Sequence, residues 1–128
     1  MTVLRVCYKH GVRFDEGYYT SKHLPLVGSV MGPYGVNGVE MVNLNSTLDG
    51  SRPLYQVMFT AYFESATGLQ NAMQSPRIAE VLGDIQNFYG GVPDVFIGEL
   101  VALPTTTAWR AAIVAEKSPY RKQSGVAG

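Results

Sequence analysis

Residues 14–26 of this chain read Phe-Asp-Glu-Gly-Tyr-Tyr-Thr-Ser-Lys-His-Leu-Pro-Leu, and the first helix of the fold is predicted from them. At about 100° per residue, a helix that starts here carries five side chains on one face: Tyr19, His23, Leu26, Val27 and Val30. His23 is therefore an imidazole at the centre of an apolar stripe, one turn from the phenol of Tyr19. Because the ordinary pKa of histidine is roughly 6.5, a neutral imidazole is available there as a base at cellular pH.

Two interpretations of His23 remain open at this point. A single histidine on an apolar helical face often packs in the core with its nitrogens hydrogen-bonded, and Tyr19 would then be a packing residue as well. In the functional interpretation, His23 is a general acid/base and Tyr19, four residues before it, is its hydrogen-bonding partner or orienter. If His23 is catalytic, His23→Ala is expected to abolish turnover and to leave the melting temperature nearly unchanged.

The composition predicts one globular domain that associates with a second copy. With 128 residues the chain can form one compact core. Ten Lys and Arg balance ten Asp and Glu, so no net field attracts nucleic acid or an acidic membrane. Only 16% of the residues are charged whereas 46% are hydrophobic, which leaves apolar surface to be covered. We therefore expect a homo-oligomer, with a homodimer as its simplest form.

The compartment is predicted from the single cysteine and from the N-terminal residues. Cys7 has no partner for an intrachain disulfide, which favours a reducing environment. The first five residues lack the basic and apolar segments of a signal peptide, and no apolar run reaches the length of a membrane span. We expect a cytoplasmic protein that does not cross a membrane.

Hydrophobic periodicity predicts an α+β fold. Alternating patterns mark four strands, at Thr2–Tyr8, Val36–Asn45, Tyr55–Phe63 and Asp94–Leu103. One helix runs from Asp15 towards Met31, where Pro25 should loosen or kink it, and a second helical region opens at Ser65 and is interrupted at Ser75-Pro76. The order β-α-β-β-α-β is typical of a single antiparallel sheet with helices on one face. Because the third strand is apolar on both faces, we expect the other face to pack against a second sheet.

Two charged residues interrupt the predicted strands. Glu99 lies in the otherwise apolar face of the last strand, and Arg5 on the neighbouring first strand is its predicted partner. Glu40 on the second strand is expected to face the same surface. These charges are predicted to pair at a subunit interface.

Residues 104–128 are assigned to a C-terminal arm or tail, separate from a domain at residues 1–103. Trp109, Ile113 and Tyr120 are typical of an arm that docks on the core or on a partner subunit. Disorder after Ser118 is the alternative, because small and polar residues dominate there.

No cofactor or metal motif is present in the sequence. His10 and His23 have no clustered carboxylates or cysteines around them in sequence, so neither a zinc nor an iron site is predicted. The glycines at 32, 35 and 38 do not follow a strand and lack the phosphate-loop pattern. We therefore expect any catalysis to proceed without a tightly bound organic cofactor.

The motif around His23 resembles a family signature. The residues Phe14, Tyr18, Tyr19, His23, Pro25 and Leu26 are similar to the pattern F-x(3)-Y-[YW]-x(3)-H-x-P-L of EthD-domain proteins. The same family has a third strand rich in Tyr and Phe, and a Phe-Tyr pair near the end of the second helical region, which Phe88 and Tyr89 match. The resemblance extends over residues 1–103.

This resemblance implies a ferredoxin-like fold that forms a dimeric α+β barrel, with ligands between the sheet and the helices. It also implies conflicting chemistries. The family was named for a gene cluster that degrades ethyl tert-butyl ether beside oxidative enzymes, whereas related proteins of aromatic polyketide pathways resemble cofactor-free decarboxylases or dehydratases.

We therefore expect an EthD-like homodimer that binds a small hydrophobic, oxygenated or aromatic compound, with His23 as acid/base and Tyr19 in support. Five further residues are predicted to contact the substrate: Tyr18 at the rim, and Tyr55, Phe59, Tyr62 and Tyr89 as walls. Two alternatives remain: a non-catalytic accessory protein for an oxygenase system, and a cofactor-free monooxygenase.

Overall fold

The computed structural model describes residues 1–101, and within them the chain folds into an α+β sandwich of one sheet and one helical layer. The strands are β1 (Thr2–Lys9), β2 (Val36–Asn43), β3 (Tyr55–Phe63) and β4 (Asp94–Glu99). Helix α1 spans residues 16–31, and the second helical region is split into α2 (Ala66–Met73) and α3 (Ile78–Asp84). Short 3-10 turns at Gly32–Tyr34 and Ile85–Asn87 follow α1 and α3.

The sheet has the strand order β2-β3-β1-β4, and each neighbouring pair is antiparallel. The central strands β1 and β3 pair Leu4 with Ala61 and Val6 with Phe59, and these side chains face the helices. The predicted order β-α-β-β-α-β and the α+β class are confirmed. Strand β3 has the predicted bounds, whereas β2 ends two residues earlier than expected, at Asn43.

Helix α1 begins at Asp15, as predicted from its capping propensity, because the Asp15 carboxylate accepts a hydrogen bond from the Tyr18 backbone N–H at 3.0 Å. The predicted disturbance at Pro25 takes the form of a π-helical turn, Tyr19–His23, inside the helix. There the Leu24 N–H bonds to the Tyr19 carbonyl, one residue further back than in an α-helix. Proline has no N–H to donate to the Ser21 carbonyl, so this hydrogen bond is missing whether or not the turn is widened.

The second helical region is capped and broken as predicted. The Ser65 hydroxyl accepts a hydrogen bond from the Gly68 N–H at 3.1 Å and starts α2. Gly68 is also needed for close packing, since a Cβ at this position would collide with the Tyr34 carbonyl oxygen. The break at Ser75-Pro76 separates α2 from α3, which begins at Ile78.

The predicted pair between Glu99 and Arg5 is wrong. The register places Glu99 opposite Thr2, whose hydroxyl donates to it at 2.8 Å, and places Arg5 opposite Phe96. Side chains alternate along a strand, so Glu99 shares the face of Thr2 and Leu4, whereas Arg5 lies on the face without helices. Glu40 is on that open face too, opposite Thr60, so Glu40 and Glu99 do not share a surface.

Two predictions fall outside the described residues. One is the part of the predicted last strand at 102–103, although β4 already ends at Glu99 and not at Leu103, because Leu100 and Val101 are not in a strand. The other is the C-terminal arm at 104–128, so the domain boundary at 103 stays a prediction. Among residues 1–101, none of the helices has the length and apolar character that a membrane crossing requires.

Candidate active site

A small apolar cavity of about 80 Å³ lies between the sheet and the helices. On the sheet side it is lined by Leu4, Val6, Tyr8, Phe59 and Val95, and on the helix side by Tyr19, His23, Val27, Val81 and Ile85. Met73 and Leu82 also line it, and because they are 38% and 54% exposed they form its mouth. The cavity is about half the volume of a roughly 150 Å³ void that binds benzene. A ring would therefore enter only if these mouth side chains move.

His23 is held rigidly in the cavity wall. Only 3% of its surface is exposed, and its ring stacks on Tyr19 with centroids 5.4 Å apart and planes at 26°. Phe88 also contacts the imidazole, with a centroid distance of 4.4 Å and planes at 51°, and Phe88 and Tyr19 are themselves in contact with centroids 4.9 Å apart. The π-helical turn joins Tyr19 and His23, so the local distortion at Pro25 sets how the two rings meet. The two residues that the sequence paired are thus in contact, although through ring stacking and not through a hydrogen bond.

Asp84, at the end of α3, binds the imidazole. Its Oδ2 lies 2.9 Å from His23 Nδ1, and the side chain of Asp84 is only 12% exposed. Its Oδ1 accepts from the Tyr18 hydroxyl at 2.6 Å and from Asn87 Nδ2 at 3.0 Å. Asn87 Nδ2 also lies 3.3 Å from the Tyr18 hydroxyl, which closes a small polar network at the edge of the cavity.

The pKa values of His23 and Asp84 are both lowered, as expected for a neutral base beside an ionised carboxylate. Burial lowers the pKa of His23, and the hydrogen bond and charge of Asp84 offset only part of this effect. Burial alone would raise the pKa of Asp84, but hydrogen bonds from Tyr18, Asn87 and His23 outweigh it and hold that pKa below its usual value. At neutral pH the pair is therefore a neutral imidazole and an ionised carboxylate.

The two tyrosines that line the cavity stay protonated. Burial raises the pKa of Tyr19 well above the ordinary value, and the neighbouring Tyr8 phenol raises it further. Burial also raises the pKa of Tyr8. Since a phenol with a raised pKa gives up its proton reluctantly, both groups serve as hydrogen-bond donors or apolar walls, not as bases.

Comparison with known proteins identifies the family. The model of the EthD domain family matches residues 13–91, which include the whole site except for the cavity residues on β1 and β4 and Pro93, which also lines the cavity. The chain belongs to the EthD family. It is similar to the crystal structure of an EthD-like protein from Ralstonia eutropha JMP134, with 30% identity and a TM-score of 0.70 over 79% of this chain and 92% of that one.

Other solved structures show the same EthD-type fold at lower identity. An EthD family protein from Bacillus halodurans C-125 has 22% identity and a TM-score of 0.66, over 79% of this chain and 99% of that one. SnoaB, a cofactor-independent oxygenase from Streptomyces nogalater, shares only the fold, with 9% identity and a TM-score of 0.57 over 80% of this chain and 93% of that one. A comparison with curated proteins finds no match.

In this EthD domain the cavity receives only part of the predicted substrate-contacting set. Phe59 lines it beside His23 and Tyr19, and Tyr18 is placed nearby but is bonded to Asp84. Tyr89 is buried against Tyr8, and its hydroxyl accepts from the Lys9 N–H at 3.0 Å.

The other two tyrosines of the predicted set lie away from the cavity. Tyr62 pairs with Val3 on the open face and donates to Glu40 at 3.0 Å. Tyr55 donates to Asp94 at 2.7 Å at the end of the sheet. The register shifts between Tyr8 and Lys9, so the alternation that put Tyr55 and Phe59 on one face does not hold to the end of the strand.

Sequence reasoning missed Asp84 and Asn87. A weak signal for Asp84 was present, because Val81, Ile85 and Phe88 form the apolar stripe of the second helical region and Asp84 borders that stripe, next to Phe88. Each of the two helical regions that cover the sheet thus has an ionisable residue in or beside its apolar stripe. For Asn87, at the exposed end of the following turn, we find no such signal. Among the described residues, no group of three or more His, Cys, Asp or Glu side chains has the arrangement of a metal site.

The lowered pKa of His23 makes the stability of this EthD domain depend on pH. Below about pH 6.5, His23 takes up a proton in the unfolded state but not in the folded state, because its pKa is lower there. The stabilising contribution of neutral His23 is therefore fully present above roughly pH 6.5 and is lost as the pH falls below that value. The titratable groups that contact the imidazole are Asp84 from α3 and Tyr19 from α1, and Tyr18 acts on it only through its hydrogen bond to Asp84. We expect urea unfolding between pH 7.5 and about 5.5 to show a steeper loss for the wild type than for His23→Asn. Parallel curves for the two proteins would contradict the assigned shift.

Proposed function

We propose that this EthD-family protein binds a small, uncharged, aromatic or otherwise apolar oxygenated compound in the cavity, and that His23 moves a proton to or from it as general acid/base. The observation that carries the proposal is the position of His23: a buried imidazole, neutral at cellular pH, in the wall of an apolar cavity. Tyr19 supports it by stacking on the ring.

The lining of the cavity favours a neutral substrate. Among the described residues that line it, none is a lysine or arginine, and the nearest charge is the anionic Asp84. A carboxylate or phosphate ester would enter beside a negative charge and without a counter-ion, which is costly in an apolar site. A neutral ketone or phenol keeps its oxygen free to accept or donate one hydrogen bond. Its hydrocarbon part meets Val27, Phe59 and the other apolar walls.

Proton transfer at a carbon next to a carbonyl, or at a phenol, is the chemistry that this site supports best. A base in an apolar wall acts on weak acids, because water does not compete for its lone pair and the substrate is held in one orientation. Oxygenation would be a subsequent step, in which dioxygen reacts with the substrate anion. That the fold is shared with a cofactor-independent oxygenase motivates this option and does not select it.

The proposal is tested with 2-indanone, a neutral aromatic ketone with acidic C–H bonds. We expect the protein in D2O to accelerate deuterium uptake at the α-carbon of this probe above the buffer rate, as measured by proton NMR. Val27→Phe fills the cavity and is expected to return exchange to the buffer rate, whereas Val92→Phe, the same substitution at an exposed position, should not change it. Equal acceleration by all three proteins would show that exchange takes place elsewhere. No acceleration by any of them would favour the accessory, non-catalytic role.

We also propose that the protein is a homodimer that pairs the open faces of two sheets. Apolar side chains remain uncovered on this face, among them Phe96, which is 52% exposed, and Val42 on the opposite edge strand. Arg5 on the central strand β1 and Glu40 on the edge strand β2 share this face and offer opposite charges to a second copy. Exposed apolar surface on both edges of a sheet is typical of an interface.

The dimer is expected to dissociate when an unpaired charge is placed on the paired face. Phe96→Lys adds an ammonium directly opposite Arg5, so two like charges would have to be buried on association. The variant should therefore show the 13.9 kDa mass of one chain, whereas the wild type should show twice that mass. Leu48→Lys, in an exposed loop, is the matched control and should remain dimeric. Light scattering after size exclusion measures these masses, and a dimeric Phe96→Lys variant would place the interface elsewhere.

We also propose a cytoplasmic location, which is inferred from the single, buried Cys7.

A further inference from the structure

We infer that Asp84 is the positioning residue of the site, which fixes the tautomer of His23 and offsets the charge that the imidazole acquires when it takes a proton. The inference rests on the proposed function of His23 and names a residue outside the motif that identifies that histidine. Its basis is the geometry of one carboxylate: Oδ2 lies 2.9 Å from Nδ1, and Oδ1 is held by two other donors.

The hydrogen bonds decide which nitrogen of His23 carries the proton. The Tyr18 hydroxyl at 2.6 Å and the Asn87 amide at 3.0 Å both donate to the Asp84 carboxylate, which keeps it ionised and therefore an acceptor only. Nδ1 must then carry the hydrogen that bridges to Oδ2, and Nε2 holds the lone pair. Within residues 1–101, Nε2 of His23 has no hydrogen-bond partner. Every fully buried polar side-chain atom in this part of the chain does have one, so Nε2 is not fully enclosed. It is therefore open to a molecule in the cavity.

The negative charge of Asp84 offsets the positive charge that His23 gains during proton transfer. Before transfer, His23 is neutral and the pair carries one negative charge. When the substrate C–H or O–H bond breaks, its electron pair stays on the substrate and the proton bonds to Nε2. The resulting imidazolium then faces the Asp84 carboxylate at 2.9 Å, in surroundings with little water, where opposite charges attract strongly.

The network also locks the carboxylate in place across two elements. Tyr18 belongs to the first turn of α1, and Asn87 to the 3-10 turn after α3, so the two donors approach Asp84 from different parts of the chain. A carboxylate with both oxygens engaged has little freedom to rotate. The imidazole also packs against both Tyr19 and Phe88, which are in contact with each other, so the direction of the Nε2 lone pair is set before a ligand arrives.

The test compares Asp84→Asn with Glu80→Gln in the intact protein. Glu80→Gln removes the same charge from the same helix, one turn away, where Glu80 is exposed and paired with Arg77. The side-chain nitrogens of His23 are observed by NMR after labelling of histidine with nitrogen-15, with His23→Asn used to assign the signal. In the wild type and in Glu80→Gln we expect Nδ1 to carry the proton.

In Asp84→Asn we expect two changes in His23 and one in the reaction. The tautomer with hydrogen on Nε2 should appear, and the pKa of His23 should fall, since the negative partner that raises it is gone. Deuterium uptake by 2-indanone should slow by between about 10-fold and 10⁴-fold, the range over which residues that orient a catalytic imidazole or ligand act.

An unchanged tautomer together with an unchanged pKa in Asp84→Asn would overturn the inference, even if the variant were less stable. That result would leave the proposed function intact as long as wild-type exchange depends on His23. Conversely, if the tautomer and pKa change as expected while the wild type shows no exchange, Asp84 still positions His23 and the proposed reaction is the part that fails. Tyr18→Phe offers a second variant if Asp84→Asn does not fold. It should raise the pKa of Asp84 and leave the bond from Nδ1 in place.

Discussion

Replacing His23 with asparagine is expected to lower protein-catalysed deuterium uptake by 2-indanone by about 10²–10⁴-fold, the usual contribution of a positioned acid/base. Asparagine retains a donor near the position of Nδ1, so Asp84 keeps a hydrogen-bond partner. It has no group that accepts a proton at neutral pH, so the base is removed while the polar network survives. NMR rates for both proteins, at equal concentration and pH, measure the effect.

The choice of asparagine corrects the simpler expectation that His23→Ala would leave the melting temperature nearly unchanged. His23 is buried against Tyr19 and Phe88, so alanine would leave a void and also deprive Asp84 of a partner. Both effects destabilise the fold and would obscure a catalytic one. If His23→Asn exchanges deuterium at the wild-type rate, His23 is a packing residue and the proposed chemistry is wrong.

Replacing Phe88 with alanine is expected to cost about 3–5 kcal/mol of unfolding free energy, the largest loss that we predict for a single substitution. Phe88 has no exposed surface and packs against the rings of Tyr8, Phe14, Tyr19 and His23. Truncation removes the dispersion contacts of a whole ring and leaves a cavity in the middle of the aromatic cluster. Urea unfolding at pH 7.5 measures this free energy. A domain usually has a total stability of about 5–15 kcal/mol, so if the wild type is near 5 kcal/mol the variant would be partly unfolded without urea.

Phe88→Leu is the matched control, because it keeps an apolar side chain and loses only part of the volume. Its expected cost is well below that of alanine. A loss of less than about 1 kcal/mol for Phe88→Ala, a typical value for an ordinary substitution, would mean that the cluster repacks. The same variant should also disturb the NMR signals of His23, because Phe88 forms one side of the imidazole site.

The secondary structure and one half of the site were predictable because they depend on local periodicity. Strand β3 was predicted with its observed bounds, and the caps at Asp15 and Ser65 were found where their side chains allow them. Tyr19 and His23 are one turn apart on a helix, so their contact follows from spacing alone. Pro25 predicted a disturbed helix, although not that the disturbance would be a π-helical turn.

Local periodicity did not predict which of the other aromatic residues would line the cavity. Alternation already put Phe59 and Tyr62 on opposite faces of β3, so only one of them could reach a cavity beneath the helices. Which face the helices cover depends on how the connections cross the sheet. Tyr55 illustrates a further limit, because an irregular register at the end of β1 leaves its hydroxyl on Asp94 and outside the cavity.

By itself, the sequence determined the α+β order, the helix that carries His23 and the membership of the motif residues in an EthD-type pattern, since each of these arises from neighbours along the chain. Only the tertiary structure decided the partner of His23. Asp84 lies 61 residues away and meets the imidazole because α1 and α3 pack side by side over the same sheet. A hydrogen bond between two helices depends on their separation and rotation. These are set by the packing of Tyr19 from α1 and Phe88, after α3, against each other and against Tyr8 of the sheet.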